Sequence, residues 1–186
     1  MKYHSLMHQY NKILEEFFAA KESLFKEVVS LTTESLKAGH KILIFGNGGS
    51  AAQAQHFAAE MVNKFLKIRP ALKAISLTTD TSALTSIGND TSFDHIFSRQ
   101  IEALGDKGDM ALALSTSGNS LNVIKAVEVA KKKELLTVAM TGKGGGNLAR
   151  RVDYLLDIPS ASTPRIQEAH LLLLHLLAQE LEDQLS

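Results

Sequence analysis

The chain of 186 residues contains no cysteine, which excludes disulfide bonds and thiolate chemistry. Neither sign of charge is in excess, since 20 Lys and Arg residues balance 20 Asp and Glu residues, and this argues against nucleic-acid binding through bulk positive charge. No apolar run approaches the roughly 20 residues of a membrane-spanning helix. The polar first segment, MKYHSLMHQYNK, lacks a signal-peptide core. We therefore expect a cytoplasmic protein with no nucleic-acid or membrane partner.

Five short apolar runs alternate with helical patterns after the first 40 residues. Runs that are apolar throughout are typical of strands covered on both faces, and strands that alternate with helices predict a parallel sheet. The predicted strands are 41–45, 74–77, 110–114, 135–140 and 154–158. The predicted helices are 50–66, 81–87, 93–104, 119–133, 147–150 and 164–181. The sequence thus predicts one α/β domain, residues 1–186, with a doubly wound five-stranded parallel sheet flanked by helices.

Residues 1–38 carry one apolar stripe whose members recur at steps of three, four or seven, which predicts a long helix that ends near Gly39. Two interpretations stay open. The helix lies on the core of its own chain, or it packs against another subunit, as a nearly heptad stripe allows. We divide the domain accordingly into an N-terminal oligomerisation helix, 1–38, and a sheet core with the C-terminal helix, 39–186. The stripe consists of Leu6, Tyr10, Ile13, Phe17, Leu24, Val28 and Leu31.

Two polar turns follow the first and third predicted strands, Gly46-Asn47-Gly48-Gly49-Ser50-Ala51 and Ser115-Thr116-Ser117-Gly118-Asn119-Ser120. A strand, a tight polar turn and a helix aim backbone N–H groups and a helix N-terminus at an anion. Both turns fall at the carboxyl edge of the sheet, where such sheets bind ligands. The pair predicts a site for a phosphorylated ligand. Because the second turn has no Lys or Arg, we expect neutral donors and helix polarity to bind the phosphate.

Each turn also has another interpretation. Ser117 or Asn119 can simply cap the helix that follows. The first turn fits the relaxed dinucleotide-binding pattern Gly46-x-Gly48-x-x-Ala51, with Asp80 as the acidic residue, so a nicotinamide-dependent enzyme is an alternative. Asp80 lies farther along the chain than the usual spacing of about 20 residues, which weakens this match.

Titratable residues occur at helical spacing in two places. His56 and Glu60 lie four residues apart, on one helix face, where they can transfer a proton or share a metal, although a solvated surface pair is the simpler interpretation. In the last helix His175 lies among leucines and is predicted to be largely buried. Gln167 lies eight residues earlier on roughly the same side. His170 lies on another face, which suggests a structural or intersubunit role.

Several segments together resemble the sugar isomerase (SIS) family and, more narrowly, the phosphoheptose isomerases. The principal ones are GNGGSA, STSGNS and RIQEAH, in this order and at these separations. Further matching stretches are AQHFAAE, GND, IFSRQIEALG, VIKA and TGKGGG. The resemblance covers nearly the whole chain and is weakest before about residue 37.

The resemblance implies the SIS fold and an aldose–ketose isomerase that converts sedoheptulose 7-phosphate into D-glycero-D-manno-heptose 7-phosphate through an enediol. This is the first step towards nucleotide-activated heptose for bacterial surface polysaccharide. It implies that Glu60 is the base and that His175 is its acid/base partner. It also implies one zinc ion per subunit, with the ligands His56, Glu60, Gln167 and His175.

The resemblance further implies a homotetramer with its sites between subunits. It implies that the second turn cradles the phosphate and that other residues contact the rest of the sugar. The phosphate ligands would be Ser115, Thr116, Ser117 and Ser120. The remaining substrate contacts would be Asn47, Gly48, Gly49, Glu60, Asn89, Asp90 and Gln167.

Two residues depart from the family pattern. Phe45 stands where cysteine is more common and is expected to point into the sheet packing, and Gln53 stands where aspartate is common and is expected to change an outer hydrogen bond. Non-catalytic relatives remain alternatives: a scaffold like the DnaA initiator-associating protein, or a regulatory module that senses a sugar phosphate. The presence of both Glu60 and His175 favours the enzyme.

Overall fold

Five strands form one sheet in which every pair is parallel. The computed structural model describes residues 2–186. Its strands are β1 (Ile42–Gly46), β2 (Ala74–Ser76), β3 (Met110–Ser115), β4 (Leu136–Thr141) and β5 (Tyr154–Asp157), in the order β2-β1-β3-β4-β5. The predicted doubly wound sheet is confirmed. The order reverses between β1 and β3, and sheets of this kind bind ligands at such a switch point.

Helices cover both faces of the sheet, which explains why the strands are apolar throughout. Ile42 and Ile44 pack beneath one group of helices, whereas Leu43 and Phe45 pack beneath the other. The first group is α1 (Lys2–Lys37), α2 (Gly49–Val62) and α6 (Thr163–Leu185), and the second is α3 (Thr81–Asp90), α4 (Ser98–Leu104) and α5 (Leu121–Lys132). The side chain of Phe45 is fully buried against Phe97, with ring centroids 5.5 Å apart. This burial agrees with the expectation that Phe45, which departs from the family pattern, points into the sheet packing.

Several predicted helices have different bounds in the structure. The predicted helix 93–104 is divided into a 3₁₀ turn, Phe93–His95, and α4, because Ser98 Oγ donates to the His95 carbonyl at 3.2 Å where the helix is interrupted. The predicted helix 147–150 is a single 3₁₀ turn, Gly146–Leu148. The predicted helix 81–87, which is α3, extends to Asp90, three residues beyond its predicted end.

The second helix ends at Val62 rather than at residue 66. The Arg69 guanidinium donates to the carbonyls of Glu60 and Met61 at 2.8 and 2.9 Å, so it satisfies groups that the helix end leaves free. The following segment, 63–73, is held against α6 by contacts that the sequence pattern does not reveal.

The long first helix lies on the core along most of its length. Ile13, Phe17 and Val28 are buried, whereas Tyr3 and Met7 near its beginning are 79% and 62% exposed. The first turns of the helix therefore leave apolar surface open in a single chain. Within residues 2–186 no helix is both long and apolar enough to cross a bilayer.

His170, a residue of α6, is fully buried, and its Nε2 lies 3.1 Å from the Thr141 carbonyl oxygen. A carbonyl oxygen only accepts, so Nε2 carries the hydrogen and donates. Burial, opposed by this one hydrogen bond, lowers the pKa of His170 to about 4. The structural role is confirmed, and the intersubunit alternative is wrong because a second chain cannot reach a fully buried ring.

We expect acidification to destabilise the protein through His170. The pKa of histidine in the unfolded chain is about 6.5, so the unfolded state binds one more proton between that pH and the folded pKa of about 4. The free energy of unfolding should fall over this range by up to about 3 kcal/mol. Urea unfolding of chelator-treated wild type and His170→Gln at about pH 7 and about pH 4 measures this. The variant should lose less stability than the wild type, and equal losses would contradict the assignment.

Candidate active site

The two polar turns lie side by side because β1 and β3 are neighbours, and a pair of amides ties them together. Asn47 Nδ2 donates to Asn122 Oδ1 and Asn122 Nδ2 donates to Asn47 Oδ1, both at 2.9 Å. The sequence analysis missed Asn122, which lies in the first turn of α5 beside the hydroxyl-rich turn. The amide pair fixes the spacing of the two turns at the switch point.

The hydroxyls of the second turn are not used to cap the helix that follows it. Ser120 is the N-cap residue of α5, but its side chain makes no capping hydrogen bond, and Ser115 Oγ donates to Ser120 Oγ at 3.3 Å. The exposed Ser117 accepts from the Asn119 backbone N–H at 3.1 Å, before the helix begins. The interpretation of Ser117 or Asn119 as the N-cap is therefore wrong.

The loop after β4 packs against the hydroxyl-rich turn. Gly118 has a φ of +65°, and a Cβ at this position would lie 2.0 Å from the Gly145 carbonyl oxygen, so only glycine permits this approach. Asn119 Oδ1 accepts from the Asn147 backbone N–H at 2.9 Å. These contacts bring the glycine-rich loop to the carboxyl edge of the sheet.

That loop contributes a cation beside the turn. Lys143 lines a cavity of about 250 Å³ together with Thr116, Ser117, Ser160 and Thr163. Its backbone N–H donates to the Ser160 carbonyl at 3.0 Å, which anchors the residue there. The expectation of neutral donors alone did not include this lysine, because nothing in the local sequence joins Lys143 to a turn some 25 residues earlier.

Three titratable side chains converge between α2 and α6. His56 Nε2 lies 3.1 Å from Glu60 Oε1 and 3.0 Å from His175 Nε2. His175 Nε2 lies 3.7 Å from Glu60 Oε1. The side chain of His175 is 33% exposed, so the prediction that it is largely buried is wrong. The ring faces His56 and Glu60 on α2, not the leucine core.

The convergent atoms fit a metal ion. Metal bonds to imidazole nitrogen and carboxylate oxygen are about 2.0–2.2 Å long, so tetrahedral ligand atoms lie about 3.3 Å apart. The three observed separations, 3.0, 3.1 and 3.7 Å, bracket this value. The second oxygen of Glu60, Oε2, is buried and has no hydrogen-bond partner among the described residues. One carboxylate oxygen thus faces the two histidines, and the other is left without a hydrogen bond among the described residues.

The side chain of Gln167, a residue of α6, lies beside Gly49 at the beginning of α2. A Cβ at Gly49 would lie 2.7 Å from Gln167 Nε2, so the glycine leaves room for this amide. Gln53 Nε2 donates to the Gln167 backbone carbonyl at 2.6 Å, a hydrogen bond that an ionised aspartate, which only accepts, could not make. The amide of Gln167 thus borders the glycine-rich turn, and its part in binding metal or substrate stays a prediction.

Three predicted functional residues lie at the two ends of α3. Asn89 and Asp90 are exposed in its last turn, where Asn89 Nδ2 donates to Asp90 Oδ1 at 2.7 Å, and their contact with a sugar stays a prediction. Asp80 is the N-cap of α3 and accepts from the Ala83 backbone N–H at 2.9 Å. Since capping occupies this carboxylate, the structure gives no support to a nicotinamide-binding role for Asp80.

Comparison with known proteins agrees with the fold. The SIS domain family model matches residues 6–142. A phosphoheptose isomerase of Thermodesulfovibrio yellowstonii is 52% identical over 172 residues, which cover 92% of this chain and 86% of that protein. The solved structure of a phosphoheptose isomerase from Neisseria gonorrhoeae superposes with a TM-score of 0.91 at 42% identity, covering 98% of this chain and 97% of that chain. For one from Francisella tularensis the TM-score is 0.93 at 35% identity, with the same coverage.

The chain belongs to the SIS-domain family and, within it, to the phosphoheptose isomerases. It is accordingly an enzyme of the sugar-phosphate isomerase class. The group of His56, Glu60 and His175 gives this enzyme a place that could hold a metal ion.

We expect a divalent metal ion to bind at this group. His56→Ala should weaken binding by a factor of at least about 10, because it removes an imidazole that faces both other side chains. Competition with a chromophoric chelator measures the affinity. His40→Ala is the matched control, since His40 is also partly exposed but interacts with Asp109 at the amino end of the sheet. Equal affinities for the two variants would place the metal elsewhere.

Proposed function

We propose that this enzyme interconverts sedoheptulose 7-phosphate and D-glycero-D-manno-heptose 7-phosphate, at the start of the route to nucleotide-activated heptose for bacterial surface polysaccharide. The observation that carries the proposal is the carboxylate of Glu60. Its Oε1 lies within 3.7 Å of two imidazole nitrogens, while its Oε2 is buried and has no hydrogen-bond partner within residues 2–186. A partly desolvated carboxylate with a free oxygen is suited to removing a proton from carbon.

In the proposed reaction Glu60 removes a proton from C1 of the ketose, and the C1–C2 double bond of the enediol forms. His175 donates a proton to O2 as that oxygen gains charge. Glu60 then returns its proton to C2, and His175 accepts the proton from O1 as the aldehyde forms. Each transfer by a positioned group is typically worth about 10²–10⁴ in rate. Atoms and electrons balance within the substrate, so no external oxidant or reductant is required.

We further propose zinc as the metal, one ion per subunit, held by His56, Glu60, Gln167 and His175. The chemistry of the donor set supports this, because two imidazoles with oxygen ligands suit zinc. When bound, zinc would supply positive charge near the oxygens of the substrate. Because a metal-bound imidazole nitrogen carries no proton, the proton transfers proposed for His175 require its Nε2 to be free of the ion.

The substrate phosphate is proposed to bind at the turn after β3. Three features support this assignment: hydroxyls that do not cap α5, the N-terminus of that helix and the nearby Lys143. Together they provide neutral donors and one cation. The phosphate ligands would be Ser115, Thr116, Ser117 and Ser120. We assign the rest of the sugar to the backbone of the glycine-rich turn, Gly48 and Gly49, and to Asn47, Asn89, Asp90 and Gln167.

Glu60→Gln and His175→Asn should each reduce kcat by about 10²-fold or more, because each removes one proton-transfer group without removing the phosphate site. The assay follows formation of the aldose from sedoheptulose 7-phosphate, with circular dichroism as the test of folding. Near-normal turnover in a folded variant would remove that residue from its proposed role.

The double variant Ser117→Ala with Ser120→Ala tests phosphate binding separately from proton transfer. Loss of two neutral hydrogen bonds should raise KM by about tenfold or more and change kcat less, because phosphate binding is shared by ground state and transition state. Unchanged KM would move the phosphate to another site.

Absence of turnover in the folded, zinc-loaded wild type would refute the proposed substrate.

We also propose a homotetramer whose sites lie between subunits. An open groove of about 530 Å³ between the start of α1 and α6 supports it, since exposed Tyr3 and Met7 line this groove together with His175. Light scattering should give four times the chain mass of 20.2 kDa. Met7→Glu should lower that mass, whereas Ile68→Glu should not, because Ile68 is 92% exposed and does not line the groove. A monomeric wild type would contradict the assembly.

A further inference from the structure

A buried carboxylate outside the convergent group holds the segment that follows α2. The side chain of Glu182, near the end of α6, is 1% exposed. Its Oε1 accepts from the backbone N–H of Phe65 at 2.9 Å, and its Oε2 accepts from those of Leu66 and Lys67 at 2.7 Å. Burial raises the pKa of Glu182, but these three hydrogen bonds and Arg69 outweigh it and hold the pKa below its usual value. The ionised carboxylate therefore fixes three consecutive backbone groups.

Arg69 completes a buried ion pair with this carboxylate. Its side chain is fully buried, and its Nε lies 3.3 Å from Glu182 Oε1. The contact is chiefly coulombic, because Nε does not meet hydrogen-bond geometry. The two Nη groups donate to the carbonyls of Glu60 and Met61 at 2.8 and 2.9 Å. The cation therefore touches the backbone of the proposed base and lies at the C-terminus of α2, where positive charge is favourable.

The same segment reaches His175 through an aromatic contact. The ring of Phe65 stacks on the His175 imidazole, with centroids 5.5 Å apart and an angle of 26° between the planes. Phe65 can hold this position because Glu182 fixes its backbone N–H. The buried ion pair thus contacts the backbone carbonyl of Glu60 directly, through Arg69. It is linked to His175 indirectly, because Glu182 holds the backbone of Phe65, whose ring stacks on the imidazole.

We propose that the Glu182–Arg69 pair and Phe65 are positioning residues that set the relative placement of Glu60 and His175. The inference deepens the proposed function and rests on it. Glu60 and His175 come from different helices, so their separation depends on what joins the end of α2 to α6. Removing groups that orient metal ligands or proton-transfer groups typically costs 10- to 100-fold in affinity or activity, and small misplacements of reacting groups are costly.

The first test compares Glu182→Gln with Asp183→Asn. Asp183 is the next residue on α6 and pairs with Lys67 of the same segment, but that pair is exposed. We expect Glu182→Gln to lower kcat by roughly 10- to 100-fold with KM nearly unchanged, and to weaken zinc binding by a similar factor in a chelator competition. Asp183→Asn should change neither quantity. Equal kcat and zinc affinity in the two folded variants would overturn the proposal.

A second pair of variants decides the question if Glu182→Gln does not fold. Phe65→Leu keeps an apolar side chain and the ion pair but loses the stacked ring, whereas Phe65→Tyr keeps the ring. We expect Phe65→Leu to lower kcat and zinc affinity and Phe65→Tyr to restore both, which a merely structural role would not produce. Equal values in the two variants would overturn the proposal. Zinc affinity is measured without substrate, so it tests positioning even if the wild type fails to isomerise the heptose phosphate.

Discussion

The parallel pairing of β1 with β3 is the constraint on which the rest of the site depends. The register sets Gly46 opposite Leu114, so the two strands end together and their turns begin side by side. A Cβ at Gly46 would lie 2.7 Å from the Leu114 carbonyl oxygen, and glycine allows this close approach. Two helices start from these turns, and both direct their N-termini to the same edge of the sheet. The reciprocal amide pair of Asn47 and Asn122 then fixes the distance between them.

The convergent histidines and carboxylate depend on a different contact, the packing of α2 against α6. These two helices are far apart in sequence, and the segment after α2 joins them through buried charge. A buried ion pair is weak evidence of stability, because desolvation of both charges opposes their attraction. The Glu182–Arg69 pair also satisfies five backbone groups near the site, three N–H groups and the carbonyls of Glu60 and Met61. Its contribution is therefore better understood as orientation of the backbone than as net attraction.

Prediction from sequence succeeded where a feature is encoded by neighbouring residues. Continuous apolar runs predicted the five strands, and the glycine-rich and hydroxyl-rich turns lie at the carboxyl edge of the sheet as predicted. It was less successful where partners are distant in the chain. Lys143 reaches the hydroxyl-rich turn only because β4 lies beside β3. The exposure of His175 was misjudged for the same reason, since its ring meets His56 and Glu60 on α2, which are more than 100 residues away in the chain.

The sequence by itself determined the α/β class, the parallel sheet, the two turns and the family, because periodicity and short motifs are local properties of the chain. It also put His56 and Glu60 on one helix face. Only the tertiary structure decided that His175 joins them with Nε2 3.0 Å from His56 Nε2 and that Glu60 Oε2 is buried without a partner. Distances between side chains on separate helices are set by packing and by buried polar contacts, and no local pattern in a sequence records them.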